Sequence, residues 1–593
     1  MTAKIPERAA GEDPVTVGAR PAIEVSHLHK TYGETVAVED VSFSVAEGQI
    51  FGLLGPNGAG KTTTVECAVG LRQADSGQIR ILGFDPARDR ERLRFAVGVQ
   101  LQSSALPAKL KVGELLGLYQ SFYPEPADPA ELAERLGLAD KHDDYYRSLS
   151  GGQKQRLSIA LALIGQPEVA VLDEMTTGLD PHARRETWDL IEQVRDGGVT
   201  ILLVTHSMEE AGRLCDEVAL IDRGRVVAAG TPQELTQQAD ATKQVYFVPS
   251  KPFDDRLLTG LPEVSGVEHH GRRVQVSGMG DLVSAVIQAL TAAGVTAHDV
   301  ELTSVSLDDA FVKLTGHRLV SAPRSAPRGR ERGRPATRQP PPLLSKDTPR
   351  RAFAKLTQAE ARLARRQPVG LILGIAAPVL LLALFGSVFR GPNKGLGGLS
   401  VAQDYLPVLI VFALAGLSFF SLPTPLATYR EQGILRRLAT TPIPPAWVLG
   451  AQLVVNACIA VAGLAALLVV GIAGFGLTGP RSLGGFVVSI VLAGLAALAI
   501  GLCIAGTART VAAAAGTGAL AWYALMFFAG LFLPRQELPA VVQRISDWTP
   551  LGAAVDAIQQ ALQTGFPSAS HLLVLAGYAL VSGALAIRFF RWE

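Results

Sequence analysis

The stretch Gly55-Pro56-Asn57-Gly58-Ala59-Gly60-Lys61-Thr62-Thr63 places three glycines, a lysine and two hydroxyls in one short run. Glycines let backbone N–H groups approach phosphate oxygens, Lys61 reaches toward β- and γ-phosphates, and the Thr62 hydroxyl can ligate Mg²⁺. The run follows the apolar stretch Ile50–Leu54 and should open a helix, the context a phosphate loop requires. A second apolar run, Val169–Leu172, ends in Asp173-Glu174. An Asp at the end of a buried strand suits Mg²⁺ coordination, and the adjacent Glu174 is placed to polarise an attacking water. His206 stands just past a third such run, Ile201–Val204.

Leu149-Ser150-Gly151-Gly152-Gln153, followed by Lys154-Gln155-Arg156, lies between the phosphate loop and Asp173. It closely resembles the signature of ABC proteins. In that family the signature, through the N-terminal amides of the helix it opens, serves ATP held by the phosphate loop of a second subunit. The resemblance implies further roles. Tyr32 resembles the aromatic that stacks on adenine. Gln102 resembles the glutamine that senses Mg²⁺ and the attacking water; it is preferred over Gln100 because Leu110, Val112 and Glu114 follow at the usual offset. Gly178-Leu179-Asp180-Pro181 resembles the D-loop, and His206 the switch histidine facing the γ-phosphate. Met175 departs from the family, which usually has Pro there, but the departure removes no functional side chain.

These motifs need elements to hold them. Residues 22–240 read as an α/β domain of short β-branched strands and longer helices. Residues 244–317 read as a small α+β appendage of strand–helix–strand–helix type, with strands at Val274–Val276 and Val300–Leu302 and helices at Leu282–Ala293 and Leu307–Leu314. Its end, Ser306-Leu307-Asp308-Asp309-Ala310-Phe311 and then Leu314-Thr315-Gly316, resembles ATPases of the daunorubicin-resistance type. Residues 320–350, rich in Pro and Arg, read as a linker, and residues 1–21 as a disordered leader without the apolar core of a signal peptide.

From residue 351 the composition changes. Six apolar segments, near 368–389, 405–427, 447–472, 483–508, 512–533 and 570–590, each reach the ~20 residues a helix needs to cross a bilayer. The expected fold is therefore an α/β P-loop ABC ATPase domain with a small α+β appendage, linked to an all-α six-helix transmembrane domain. Six crossings put both ends on one side. Arg362, Arg365, Arg366, Arg430, Arg436, Arg437, Arg509, Arg588 and Arg591 then face the cytosol, against Arg390, Lys394, Arg481, Arg535 and Arg544 outside. Tyr429–Leu438 with Thr441-Pro442, between the second and third spans, resembles the coupling segment of type-2 ABC exporters. Pro534–Thr564 resembles that branch's outer loop with short re-entrant helices.

The chain has 593 residues, 48% hydrophobic, with a mean hydropathy of +0.26. Its 55 Lys and Arg against 54 Asp and Glu give no global pull toward nucleic acid. The four cysteines, Cys67, Cys215, Cys458 and Cys503, form no CxxC pair and read as small buried residues. Nearly uncharged spans argue against an ion pump and for an amphipathic cargo, with Trp522, Tyr523 and Phe527 available to hold it. One phosphate loop and one signature cannot complete a site with each other. The resemblance therefore implies a homodimer with two composite ATP sites and Mg²⁺, embedded in the cytoplasmic membrane with the ATPase and both termini cytosolic. The expected activity is efflux of an amphipathic small molecule, peptide or lipid, or alternatively of a polysaccharide or lipid conjugate, and less readily of sodium. An importer's coupling motif is not found, so no binding protein is expected.

Overall fold

The structure, a computed structural model, describes residues 21–102, 105–238, 243–303, 348–388 and 401–589. It divides into two compact units. One comprises Met1–Val99 and Pro167–Gln339, the other Gln100–Gln166 and Pro340–Glu593, each within the described residues.

The first unit is built on a nine-stranded sheet. Its strands are β1 (Ile23–Tyr32), β2 (Thr35–Val45), β3 (Ile50–Leu54), β4 (Ser76–Ile81), β5 (Val97–Gln100), β6 (Val169–Asp173), β7 (Thr200–Thr205), β8 (Glu217–Asp222) and β9 (Arg225–Gly230). The order across the sheet is β4-β1-β2-β9-β8-β3-β7-β6-β5. Every residue of β3, β6 and β7 is buried, as expected for parallel strands covered on both faces. Their parallel register pairs Leu54 with Thr205 and Asp173 with Val204. The carboxyl ends of three neighbouring strands thus come level, the edge at which open α/β sheets carry their sites.

The appendage is a four-stranded antiparallel sheet in the order β11-β12-β10-β13, from β10 (Lys243–Pro249), β11 (Val264–His270), β12 (Arg273–Gly278) and β13 (Ala297–Thr303). The helix Leu282–Ala292 packs Val286 and Leu290 on Val245, Val274 and Val276. The strand–helix–strand–helix expectation missed β10 and β11. The β11 segment, Val-Ser-Gly-Val-Glu-His-His, is mostly polar and becomes a strand through pairing with β12. The expected helix at 307–314, residues 1–20 of the expected leader and residues 320–347 of the expected linker lie outside the described residues; the last three linker residues, 348–350, instead open the helix Thr348–Arg366.

In the second unit, the helices Val112–Gln120, Pro129–Arg135 and Gly151–Leu163 precede the amphipathic helix Thr348–Arg366 and six apolar helices. The six are Val369–Val388, Val401–Glu431, Ala446–Phe475, Leu483–Thr507, Val511–Phe528 and Ala569–Phe589, all long enough to cross a membrane. This is a multi-pass membrane protein. The second span is mostly enclosed by the others, while the rest leave a broad apolar face outward. Small residues permit the close packing: a Cβ on Gly501 would lie 2.0 Å from the Ser418 carbonyl of the second span. Trp522 is buried against Phe412 and Phe420 and serves the bundle core, whereas Tyr523 and Phe527 are exposed.

Candidate nucleotide site and coupling surface

The phosphate loop joins β3 to the helix Lys61–Ala68. Gly55 has φ +155° and a Cβ there would lie 2.2 Å from the Ile221 carbonyl; Gly60 has φ +101° and would meet the Ala37 carbonyl at 2.4 Å. Both positions therefore demand glycine. Pro56, Asn57 and Gly58 are exposed, Ala59 is buried and Gly60 is half-buried. The buried Lys61 lies across its own loop, Nζ donating to the Gly55 carbonyl at 2.6 Å and the Pro56 carbonyl at 3.0 Å. Burial pushes its ammonium down, against an upward pull from Glu174 and Asp173. Thr62 is exposed and Thr63 half-buried.

Asp173 closes β6 and is buried. The chain then turns sharply at Glu174, whose φ of +49° is unusual for a residue with a side chain. The Glu174 amide donates to the Val204 carbonyl at 2.8 Å, anchoring the turn to β7. His206, just past β7, brings Nδ1 to 3.3 Å from Glu174 Oε1. The carboxylate side chain is 7% exposed and the histidine 45%, so the pair spans the boundary between core and solvent. Met175 is buried beneath this turn.

Two other expected residues of this unit have partners of their own. Asp180 caps the helix Pro181–Asp196, accepting from the His182 and Ala183 amides at 3.0 Å each. The Ala183 and His182 amides hold its carboxyl below the usual range. Tyr32 ends β1 with an exposed ring, flanked by Lys30 Nζ at 5.6 Å and Arg72 Cζ at 5.4 Å from its centroid. The structure thus brings Lys61, Asp173, Glu174 and His206 together, while Gln102 and Ser150–Gln153 belong to the second unit.

In that unit Gln100 is buried and donates to the Leu101 carbonyl, whereas Gln102 is exposed. Ser150 and Gln153 form a capping box that opens the helix Gly151–Leu163. The Ser150 amide donates to Gln153 Oε1 at 2.9 Å, and the Gln153 amide to Ser150 Oγ at 3.3 Å. Gly151 and Gly152 follow as the first helical residues, Gly151 exposed and Gly152 half-buried.

The segment Tyr429–Leu438 reaches this same helix. After the helix Pro423–Glu431 the chain reverses at Gly433, φ +67°, into the short helix Ile434–Leu438. Arg437 is 3% exposed and donates from Nη1 to Ser158 Oγ at 3.1 Å and from Nη2 to the Ser158 carbonyl at 3.2 Å. Its guanidinium also lies 5.8 Å from the Tyr119 ring centroid. The Ala105 amide, three residues after Gln102, donates to the Gln432 carbonyl at 3.0 Å. At its other end the segment grips the spans. Arg430 donates to the Ala505 and Ala508 carbonyls that finish the fourth span, and Glu431 accepts from the Val511 amide that starts the fifth.

Sequence reasoning missed three polar contacts here. Arg366 binds Glu114 in a fork, Nη1 to Oε2 at 2.6 Å and Nη2 to Oε1 at 2.8 Å. Glu360 is buried between helices, accepting from the Tyr429 hydroxyl at 2.9 Å and Gln452 Nε2 at 3.3 Å. A signal for it existed: Glu360 sits on the stripe formed by Ala352, Leu356 and Leu363, where an acid is out of place. Between spans five and six, Arg535 pairs with Asp547 at 2.7 Å and with Asp556, tying together the helices Ala540–Asp547 and Pro550–Gln563.

Comparison with known proteins adds to this geometry. Residues 38–177 match the family described as ABC transporter, and residues 351–562 the family described as ABC-2 type transporter. Over 306 residues the chain is 37% identical to a daunorubicin resistance ATP-binding protein of Streptomyces coeruleorubidus, covering 50% of this chain and 97% of that one. Over 224 residues it is 44% identical to a Nod factor export ATP-binding protein of Ralstonia nicotianae, covering 37% and 70%. A solved ATP-binding subunit of an ABC transporter is 29% identical, covering 37% of this chain and 92% of its own, with a TM-score of 0.33.

Proposed function

The chain belongs to the ABC transporter family as an ATPase fused to an ABC-2 type permease and couples ATP hydrolysis to transport; on that premise we propose that two copies form a homodimer exporting an amphipathic small molecule, peptide or lipid. The buried contact of Arg437 with the signature helix supports the coupling most directly, because it joins the permease to the ATPase lobe within one chain, and the single phosphate loop and single signature support the pairing of two copies.

In this reading the glycine-enforced loop Gly55–Gly60 cradles the triphosphate of ATP, and Lys61 turns from its loop carbonyls to the β- and γ-phosphates. Asp173, the Thr62 hydroxyl and Gln102 are the residues that would hold Mg²⁺, whose charge would neutralise the phosphates. Glu174 accepts a proton from the attacking water, and His206, 3.3 Å away, keeps the carboxylate oriented. Tyr32 lies against adenine. Ser150–Gln153 presents helix N-terminal amides to ATP on the partner, and Asp180 stands at the same subunit boundary. Closure of the ATPase pair moves the signature helix, and Arg437 carries that movement to the spans. The ATPase and both termini then face the cytosol.

The direction of transport is supported by the export and resistance relatives. A second reading, export of a polysaccharide or lipid conjugate, uses the same engine, and accumulation assays with labelled cargo separate the two. The central test is Glu174→Gln. It should retain ATP and accumulate as an ATP-bound dimer while hydrolysis falls by at least ~100-fold; hydrolysis at the wild-type rate would remove Glu174 from its assigned role.

A further inference from the structure

Between the helix Val112–Gln120 and the amphipathic helix Thr348–Arg366 lies a cleft of about 360 Å³. Lys355, Ala359, Arg362 and Arg366 all line it, spaced as neighbours along one helix face. Lys111 adds a fourth cation, and Glu114 and Asp143 are the carboxylates present. Those carboxylates are already engaged. Arg366 holds Glu114 in its fork with Arg362 3.6 Å away, and Lys111 pairs with Asp143 at 3.0 Å. Lys355 makes no ion pair with any described residue and is exposed. Two positive charges are therefore in excess within one concave, part-buried space.

The opposite wall is made to leave room. Gly113 and Gly117 face the cleft one helical turn apart. A Cβ on Gly113 would strike the His142 ring at 2.1 Å, but one on Gly117 would meet nothing within 4 Å. Alanine is the better helix former at such a position, so an open glycine here serves the space rather than the helix. Ala359 keeps the facing side equally low.

We propose that this cleft binds a phosphate-bearing anion, with the headgroup of an anionic phospholipid as its source. Arg366 stands three residues before Val369, where the first span begins, so a lipid beside that span can present its phosphate to the cleft. A diester phosphate offers acceptors to Arg362 and Lys355 without displacing Glu114 from Arg366. Such a lipid would brace the amphipathic helix against the helix Val112–Gln120, the surface through which the permease meets the ATPase lobe. Free inorganic phosphate carries the same chemistry and is the competing source.

The test uses the full-length protein in detergent, read by native mass spectrometry for retained lipid. Phosphatidylglycerol should be retained at least tenfold over phosphatidylcholine. Gly117→Leu, which fills the cleft and removes no charge, and Lys355→Glu, which reverses the excess, should each cut that preference at least fivefold. Their thermal unfolding should match wild type; if Gly117→Leu does not fold, Lys355→Glu alone decides. Phosphatidylglycerol retention unchanged in the folded variants overturns the lipid site. Inorganic phosphate titrated by calorimetry then separates the sources: binding to wild type and not to the variants keeps the anion site with free phosphate as ligand. No difference between wild type and variants for either probe refutes the site altogether.

Discussion

Arg437 Nη1 lies 3.1 Å from Ser158 Oγ, and Ser158 is the eighth residue of the helix that Ser150 caps. A rigid helix thus runs from the signature to a buried guanidinium of the permease. The contact is almost dry, and the Arg437 fork also takes the Ser158 carbonyl.

Removing this arginine should break transmission and leave nucleotide binding intact. Arg437→Ala is expected to lower cargo transport by at least ~10-fold, because hydrogen bonds to a buried charged group contribute on the order of 2 kcal/mol each. Arg437→Lys should restore little, since an ammonium cannot reproduce the planar fork over Tyr119. Transport in proteoliposomes, set beside ATP affinity, checks both; wild-type transport in the alanine variant would contradict the assignment.

The Gly60 backbone makes a sharp prediction for the ATP site. Gly60→Ala forces a Cβ to within 2.4 Å of the Ala37 carbonyl at a φ of +101°. The loop must deform, and nucleotide affinity should fall by at least ~100-fold, with a stability loss on the order of 1–3 kcal/mol from backbone strain. Equilibrium binding of a fluorescent ATP analogue measures the first effect.

Glu360 sets a pH dependence. Burial raises its carboxyl to about 7, against the pull of its Tyr429 and Gln452 hydrogen bonds. Its ordinary value is 4.5, so below that pH the group is neutral folded and unfolded, and the full contribution is present. As pH rises toward 7 the unfolded chain ionises first and stability is lost, by on the order of 3 kcal/mol in total. Glu360→Gln keeps the shape and cannot ionise. Its melting temperature should therefore fall less than that of wild type between pH 5 and pH 8; identical pH profiles would show that Glu360 does not titrate in this window.

Arg535 is the clamp of the loop between spans five and six. Arg535→Ala leaves Asp547 and Asp556 without their shared cation; because solvent reaches both carboxylates, the expected cost is about 1–2 kcal/mol. Arg535→Lys should recover part of this, because one ammonium cannot serve both carboxylates as well as a fork does. Thermal unfolding of the two variants in detergent reads the difference.

Much of this protein is written in local patterns. The phosphate loop, the carboxylates after β6, the signature and the six apolar runs are contiguous, and each owes its recognisability to chemistry that demands certain residues at short spacing. Glycines at positive φ, strands buried on both faces and helices of bilayer length leave marks in sequence because backbone sterics and solvation act residue by residue. The appendage was less legible: β11 is a mostly polar segment that becomes a strand through pairing with β12, and β10 is a short apolar run whose Val245 and Phe247 find their core only when β12 and β13 pair on either side of it.

What the tertiary structure alone decided are the polar contacts between distant segments. Nothing local tells that Arg437 meets Ser158 or that Arg366 forks Glu114, and the apolar stripe that marks Glu360 for burial does not say that Tyr429 and Gln452 enclose it. In sequence each of these arginines is one of several in a basic run, indistinguishable from a solvated charge. Whether a charge is buried depends on which other chain surface removes its water, and that is a property of packing rather than of the residue.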